Sequence, residues 1–316
     1  MNLNLIDETM PTLHIETPLL ESRALGALSG KTVWLKMEAL QPPGSFKIRG
    51  MGLACQEYVR QGAKRLICSS GGNAGIAVAY AGRRLGVPVV VVVPESTSER
   101  ARALIRQEGA ELVVHGPSWQ EANALALSMV TATDAFLHPF DDPLLWRGHA
   151  TMVDEVAQSG VKPDVVVLSV GGGGLLCGAV EGLRRNGWQD VPVLAVETQG
   201  ADSFAQSLQA GQRIELPAIT SVATSLGARK VCEQAFQWSK EHTILSEVVS
   251  DKAAVSACMR FIDDHRVVVE PACGAALAAV YDKVAALEPF QSALVIVCGG
   301  VTASLAQLQG WSKQLG

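Results

Sequence analysis

The run Asp164-Val165-Val166-Val167-Leu168-Ser169-Val170-Gly171-Gly172-Gly173-Gly174-Leu175 carries an unbroken apolar stretch directly into four glycines and then into an Ala- and Leu-rich segment. A strand with one wet face alternates apolar and polar residues. Continuous Val, Ile and Leu instead means burial on both faces, the habit of parallel sheets covered by helices. The stretches 32–38, 65–70, 87–94, 110–116, 191–197 and 293–300 share that pattern. Between them, segments 74–85, 98–107, 121–132, 175–186, 251–265 and 275–286 are rich in Ala, Leu, Glu and Arg, and most end at Gly or Pro. This alternation predicts an α/β protein. The turn-rich HPFDDP at 138–143 separates two strand–helix series and predicts a boundary between lobes.

The composition supports a large buried core. Of 316 residues, 48% are hydrophobic and 18% charged, which suits one large or two smaller globular domains. A net charge of −5, with Lys and Arg scattered, offers no cationic surface to nucleic acid or anionic lipid. The seven cysteines (55, 68, 177, 232, 258, 273, 298) form no C-x-x-C pair and lie mostly in apolar runs, which points to a cytoplasmic protein. The N-terminal MNLNLIDETMPT has acids where an export signal needs a basic start, and the apolar run 87–93 is too short to span a bilayer.

Four segments carry candidate chemistry. In Pro42-Pro43-Gly44-Ser45-Phe46-Lys47-Ile48-Arg49-Gly50, a lysine stands at a predicted helix N-terminus, where the dipole disfavours a cation. A desolvated lysine loses its proton readily and can attack a carbonyl to form an imine. Taken alone, the segment favours a solvated lysine in a turn over that chemistry. Ser69-Ser70-Gly71-Gly72-Asn73-Ala74-Gly75 is a bend whose successive N–H groups could hold a carboxylate or phosphate, or an ordinary turn with an Asn cap. Four glycines at 171–174 are entropically costly, which favours close approach of the backbone to a phosphate over a plain turn. Cys298, in Val297-Cys298-Gly299-Gly300, would sit at a strand's carboxyl end, where ligands bind in open α/β sheets, or be an inert buried thiol. Arg49 reads as support for the helix start, and the six histidines show no metal-ligand spacing.

A dinucleotide-binding reading competes for the same glycines. Gly172, Gly174 and Gly178 follow one strand, and Glu197 ends the next, as in an NAD(P)-binding oxidoreductase. Cys177, however, occupies the third glycine's place in G-x-G-x-x-G. That reading also leaves the other segments unused.

Together, GSFKIRG around Lys47, SSGGNAG with Asn73 twenty-six residues later, SVGGGGL, EPACGAALA at 270–278 and VIVCGG resemble the fold-type II pyridoxal-phosphate enzymes. Within them the chain is most similar to the animal-type L-serine dehydratases and serine dehydratase-like proteins, over almost its entire length from Thr17. The resemblance implies a two-lobed, tryptophan synthase β-like fold, with 1–40 and 143–316 as the large lobe and 41–142 as the small one. It implies dehydration and deamination of L-serine, and of L-threonine, by a homodimer; serine racemase and threonine deaminase share the fold. Lys47 would carry pyridoxal 5'-phosphate as an imine, with Phe46 on one ring face. Ser70, Gly71, Gly72, Asn73 and Ala74 would receive the substrate carboxylate, and Asn73 would lie near the ring hydroxyl. Gly171, Gly172, Gly173, Gly174 and Leu175 would cradle the phosphate, and Cys298 would lie beside the ring nitrogen. Gly171, Glu197, Ala201, Ser203, Leu226 and Ala228 match positions that hold a monovalent cation, usually potassium. Gly71 and Ser225 stand where liver-type enzymes have Ala, and a mobile Gly71 implies altered rate or substrate preference.

Overall fold

A computed structural model describes residues 11–316. Most of the N-terminal stretch read above as lacking an export signal lies outside the described residues. Ten strands are present among them: β1 (Leu19–Glu21), β2 (Thr32–Lys36), β3 (Arg65–Cys68), β4 (Val89–Val93), β5 (Glu111–Val114), β6 (Asp134–Leu137), β7 (Val165–Ser169), β8 (Val193–Thr198), β9 (Ile244–Val249) and β10 (Ser292–Ile296). They form a six-stranded sheet, β1-β2-β10-β7-β8-β9, and a four-stranded sheet, β5-β4-β3-β6. Every pairing is parallel except that of β1 with β2. The α/β expectation therefore holds, and each of the seven stretches read as buried strands contains one.

The continuous apolar runs are central strands with buried faces, except β5, an edge strand with no buried position, which corrects the expectation for 110–116. Val89 to Val93 and Val165 to Ser169 are buried at every position. The strands without a sequence signal lie at sheet edges. β1 has three residues; β9 is only partly buried and carries Ser246 and Glu247; β6 opens on Asp134, which pairs with Arg65. The helix Pro143–Gln158 also escaped the pattern, because Pro143 and the acids before it read as a break. Pro143 instead occupies the first turn, where its missing N–H costs nothing, and Asp142 caps Leu144 N at 2.8 Å.

The helix Pro271–Tyr281 is buried along its whole length, which explains its all-apolar composition. It begins four residues before the predicted 275–286, with Pro271 at its first turn.

Arg49 fastens the helix Lys47–Arg60 to the six-stranded sheet. Its Nε and Nη2 donate to Glu38 at 2.7 and 2.8 Å, and its Nη1 and Nη2 to Glu155 at 2.6 and 2.7 Å. Lys36, on β2, closes the network by pairing with Glu155 and donating to Thr17 O. Both side chains of the Arg49–Glu38 pair are fully buried. The supporting role expected for Arg49 is thus realised two residues from Lys47.

Candidate active site

Helices Lys47–Arg60, Asn73–Leu85, Gly174–Arg185 and Pro271–Tyr281 all begin without a side-chain cap. Elsewhere Ser22, Ser98, Asp142, Ser250 and Ser304 cap their helices with a side-chain oxygen. Uncapped first-turn N–H groups are orphan donors at the positive end of a helix dipole, ready for anions. The first three come after the parallel strands β2, β3 and β7, at whose carboxyl ends open α/β sheets bind ligands, whereas Pro271–Tyr281 follows the helix Asp251–His265.

Hydrogen bonds across the loops bring the predicted segments together. Phe46 N donates to Cys298 O at 3.1 Å, Gly300 N to Gly44 O at 2.9 Å, and Ser45 bridges to Gly299. Lys47 is therefore held beside the end of β10. Its Nζ donates to the backbone oxygen of Pro139 at 2.6 Å and lies 5.2 Å from the Phe46 ring centroid. Burial lowers the Lys47 amine to about 8, so the neutral nucleophile is accessible near physiological pH. The solvated-lysine alternative fails. Phe46 rests against His149, whose ring centroid is 4.8 Å away and which burial keeps neutral.

Asn73 is the first residue of its helix and is 8% exposed. Its Nδ2 donates to Glu270 Oε1 at 2.7 Å, while its Oδ1 is buried without a partner. A buried acceptor left open costs roughly 1–3 kcal/mol. Cys298 is 6% exposed just beyond β10; the Cys273 thiol hydrogen-bonded to it, together with burial, pushes its thiol well up, so it presents a neutral S–H.

The glycine run also has a packing reason. A Cβ on Gly172 would fall 2.3 Å from the Phe140 ring, on Gly173 2.6 Å from Ala235 Cβ, and on Gly174 2.7 Å from Phe140 O. Close packing by this chain's own residues excludes side chains there, and Gly173 also has a φ of 95°. The uncapped N–H groups of Gly174 and Leu175 keep the phosphate reading open. Pro139 and Phe140, from the segment read only as an inter-lobe break, are site residues that the sequence did not disclose.

Gly71 also has a steric explanation. Its backbone needs no left-handed φ, and an added Cβ would lie 2.5 Å from Thr97 Oγ1 and 2.7 Å from Thr97 Cγ2. The Thr97 side chain fills the space of a residue-71 methyl. Ser70 Oγ accepts from Gly72 N at 3.3 Å and thereby shapes the bend that leads to Asn73 and Ala74.

Glu197, next to last in β8, is fully buried and accepts from Phe204 N at 2.9 Å and Ala205 N at 2.7 Å. It caps the helix Ser203–Ala210 rather than facing a ribose. Gly178, the other dinucleotide signal, makes room for His149, whose Cβ would lie 2.4 Å from an added methyl. The dinucleotide reading thus loses both supports. Gly171 packs against Leu226, whose Cα would lie 3.0 Å from an added Cβ, and Leu226 O accepts from Ala228 N at 2.8 Å. Ala201 bridges to Thr198, beside Glu197. Ser203 Oγ is buried without a partner.

The model of the "Pyridoxal-phosphate dependent enzyme" family matches residues 11–299. A mouse protein named "L-serine dehydratase/L-threonine deaminase" is 49% identical over 316 aligned residues, covering 96% of this chain and 97% of that protein. The mouse "Serine dehydratase-like" protein is 52% identical over 314 aligned residues, covering 96% and 95% respectively. The solved L-serine ammonia-lyase of Rhizomucor miehei superposes with a TM-score of 0.91 at 37% identity, covering 96% of this chain and 99% of that one. With a lysine of lowered basicity among open helix N-termini, and a family model spanning nearly the whole chain, this protein belongs to the pyridoxal-phosphate dependent enzymes.

Proposed function

We propose that this protein converts L-serine, and L-threonine, to pyruvate or 2-oxobutyrate with release of ammonia. The observation that carries the reading is the partly buried Lys47 amine, ringed by uncapped helix N-termini, one of them headed by Asn73. The residues fit the cofactor: Lys47 to attach it, Gly171 to Leu175 for its phosphate, Asn73 for its ring hydroxyl, and Phe46 and Ser225 for its faces. When bound, pyridoxal phosphate supplies a conjugated sink for the electrons released at the substrate's Cα.

The chain's own groups then have distinct tasks. The N-terminus of the helix Asn73–Leu85, with Ser70, Gly71 and Gly72, binds the substrate carboxylate and orients Cα. Lys47 Nζ, deprotonated readily because of its burial, takes the α-proton as general base. Cys298 offers a neutral thiol rather than a carboxylate, which does not favour a protonated ring nitrogen and moderates the electron sink. That suits loss of the β-hydroxyl over transamination.

Keto-acid release from L-serine, D-serine and L-threonine, with and without potassium, tests the reading. Pyruvate from L-serine and 2-oxobutyrate from L-threonine are expected; D-serine formation without keto acid would favour a racemase.

A monovalent cation beside the phosphate loop is part of this proposal, held by Glu197 and Ser203 with Gly171, Ala201, Leu226 and Ala228. Burial pushes the Glu197 carboxyl up to about 8, and a cation would favour its charged form. Glu197→Gln is expected to raise the potassium concentration for half-activation about tenfold or more, as loss of a ligand contact does. Activity titrations with KCl check this, and an unchanged half-activation would remove Glu197 from the site.

Gly71→Ala is expected to raise KM for L-serine several-fold, since overpacking strain is on the order of 1 kcal/mol. Thr97→Ala in the same chain should restore it. Steady-state kinetics of the single and double variants measure both.

We further propose a cytoplasmic homodimer, in keeping with seven buried free thiols. Size-exclusion with light scattering tests its stoichiometry.

A further inference from the structure

Glu270 has no task in the reading above, yet its carboxylate ties several site segments together. It precedes the helix Pro271–Tyr281 and is 5% exposed. Its Oε1 accepts from Asn73 Nδ2 at 2.7 Å, and its Oε2 from Thr302 Oγ1 at 2.8 Å. The Ser225 hydroxyl also bonds to it. These donors come from separate places: Asn73 heads a helix following the four-stranded sheet, Ser225 lies in the turn Thr224–Leu226, and Thr302 follows β10. Room for the carboxylate is made by Gly300, where an added Cβ would fall 2.1 Å from Glu270 Cγ.

The consequence concerns Asn73. The two ends of a carboxamide have nearly the same shape, so only hydrogen-bond partners decide which one faces a ligand. A carboxylate accepts and does not donate. Glu270 therefore takes one hydrogen of the amide nitrogen, as the structure shows. A glutamine at 270 offers both a donor and an acceptor and removes that bias. Ser225 adds a donor to the same carboxylate that an alanine in its place would lack.

We propose that Glu270 is a positioning residue whose carboxylate takes one hydrogen of Asn73 Nδ2 and so holds the amide with the other N–H aimed at the cofactor's ring 3-oxygen. This rests on the cofactor reading of Asn73. Residues that orient direct ligands in this way typically change affinity by about 10–100-fold when replaced.

The test is the dissociation constant of pyridoxal phosphate, titrated by absorbance into apo-protein of wild type, Glu270→Gln, Asn73→Ala and the double variant, with unfolding midpoints alongside. Glu270→Gln should weaken uptake about tenfold with little change in midpoint. The double variant should bind no more weakly than Asn73→Ala, since both changes remove one interaction. Wild-type affinity in Glu270→Gln, or a full additional loss in the double variant, would overturn the proposal. Thr302→Val keeps the carboxylate but withdraws one donor; it should give the same pattern at smaller amplitude and serves if Glu270→Gln does not fold, with wild-type affinity again overturning the idea. Failure of the wild-type apo-protein to take up the cofactor would sink the functional reading itself, whereas uptake unaffected by these variants removes only the role of Glu270.

Discussion

Lys47→Ala is expected to lower kcat for L-serine by about 10³-fold or more, with the protein still folded. Loss of a general base alone typically costs about 10²–10⁴-fold, and this residue is also the proposed covalent anchor. Folding should survive because Lys47 Nζ makes a hydrogen bond to Pro139 O, whereas the helix it begins is anchored by Arg49. The pH dependence of cofactor attachment has a definite sign. Only the neutral amine attacks, and burial lowers the amine to about 8. Attachment to apo-protein should therefore speed up as pH rises and level off near that value, not near the ordinary lysine range. Stopped-flow absorbance across pH measures the profile, and steady-state pyruvate release measures the kcat loss.

Arg49→Met should have the largest effect on stability. Its guanidinium is fully buried against Glu38 and Glu155, and removing one partner of such a pair leaves the others charged without compensation, at about 3–5 kcal/mol. Arg49→Lys should recover little, because an ammonium cannot reproduce the forked contacts to both carboxylates. Urea unfolding monitored by circular dichroism gives the difference directly. A loss below about 1 kcal/mol, the scale of exposed pairs, would contradict the buried-network account. Cofactor affinity should fall as well, since Lys47 lies two residues away on the same helix.

What the sequence disclosed follows from which forces leave a local trace. Double-sided burial writes itself as continuous Val and Leu, so β4 and β7 were legible; the edge strands β1, β6 and β9 bury too little to leave that mark. Lys47 stood out because a cation at a helix start is locally odd, and Asn73 because it ends a glycine-rich bend. Arg49 was placed correctly as support, although its partners at 38 and 155 lie far apart in the chain.

The partners of the site were the hidden part. The Lys47 contact is a backbone oxygen, which any residue at 139 would supply. Asn73 and Glu270 are 197 positions apart, and nothing local links them. Glu270 did carry one signal, an acid immediately before a proline that opens a wholly apolar segment. The close packing at the glycines 172–174 was not legible, because a packed Phe140 ring forbids side chains as firmly as a ligand would. Gly71 teaches the same lesson through Thr97.

Borohydride reduction of the cofactor-loaded protein, followed by peptide mass mapping, tests the central claim most directly. One stable pyridoxyl label is expected, on the peptide containing Lys47, and its loss in Lys47→Ala. A label on a different lysine, or one that persists in Lys47→Ala, would contradict it.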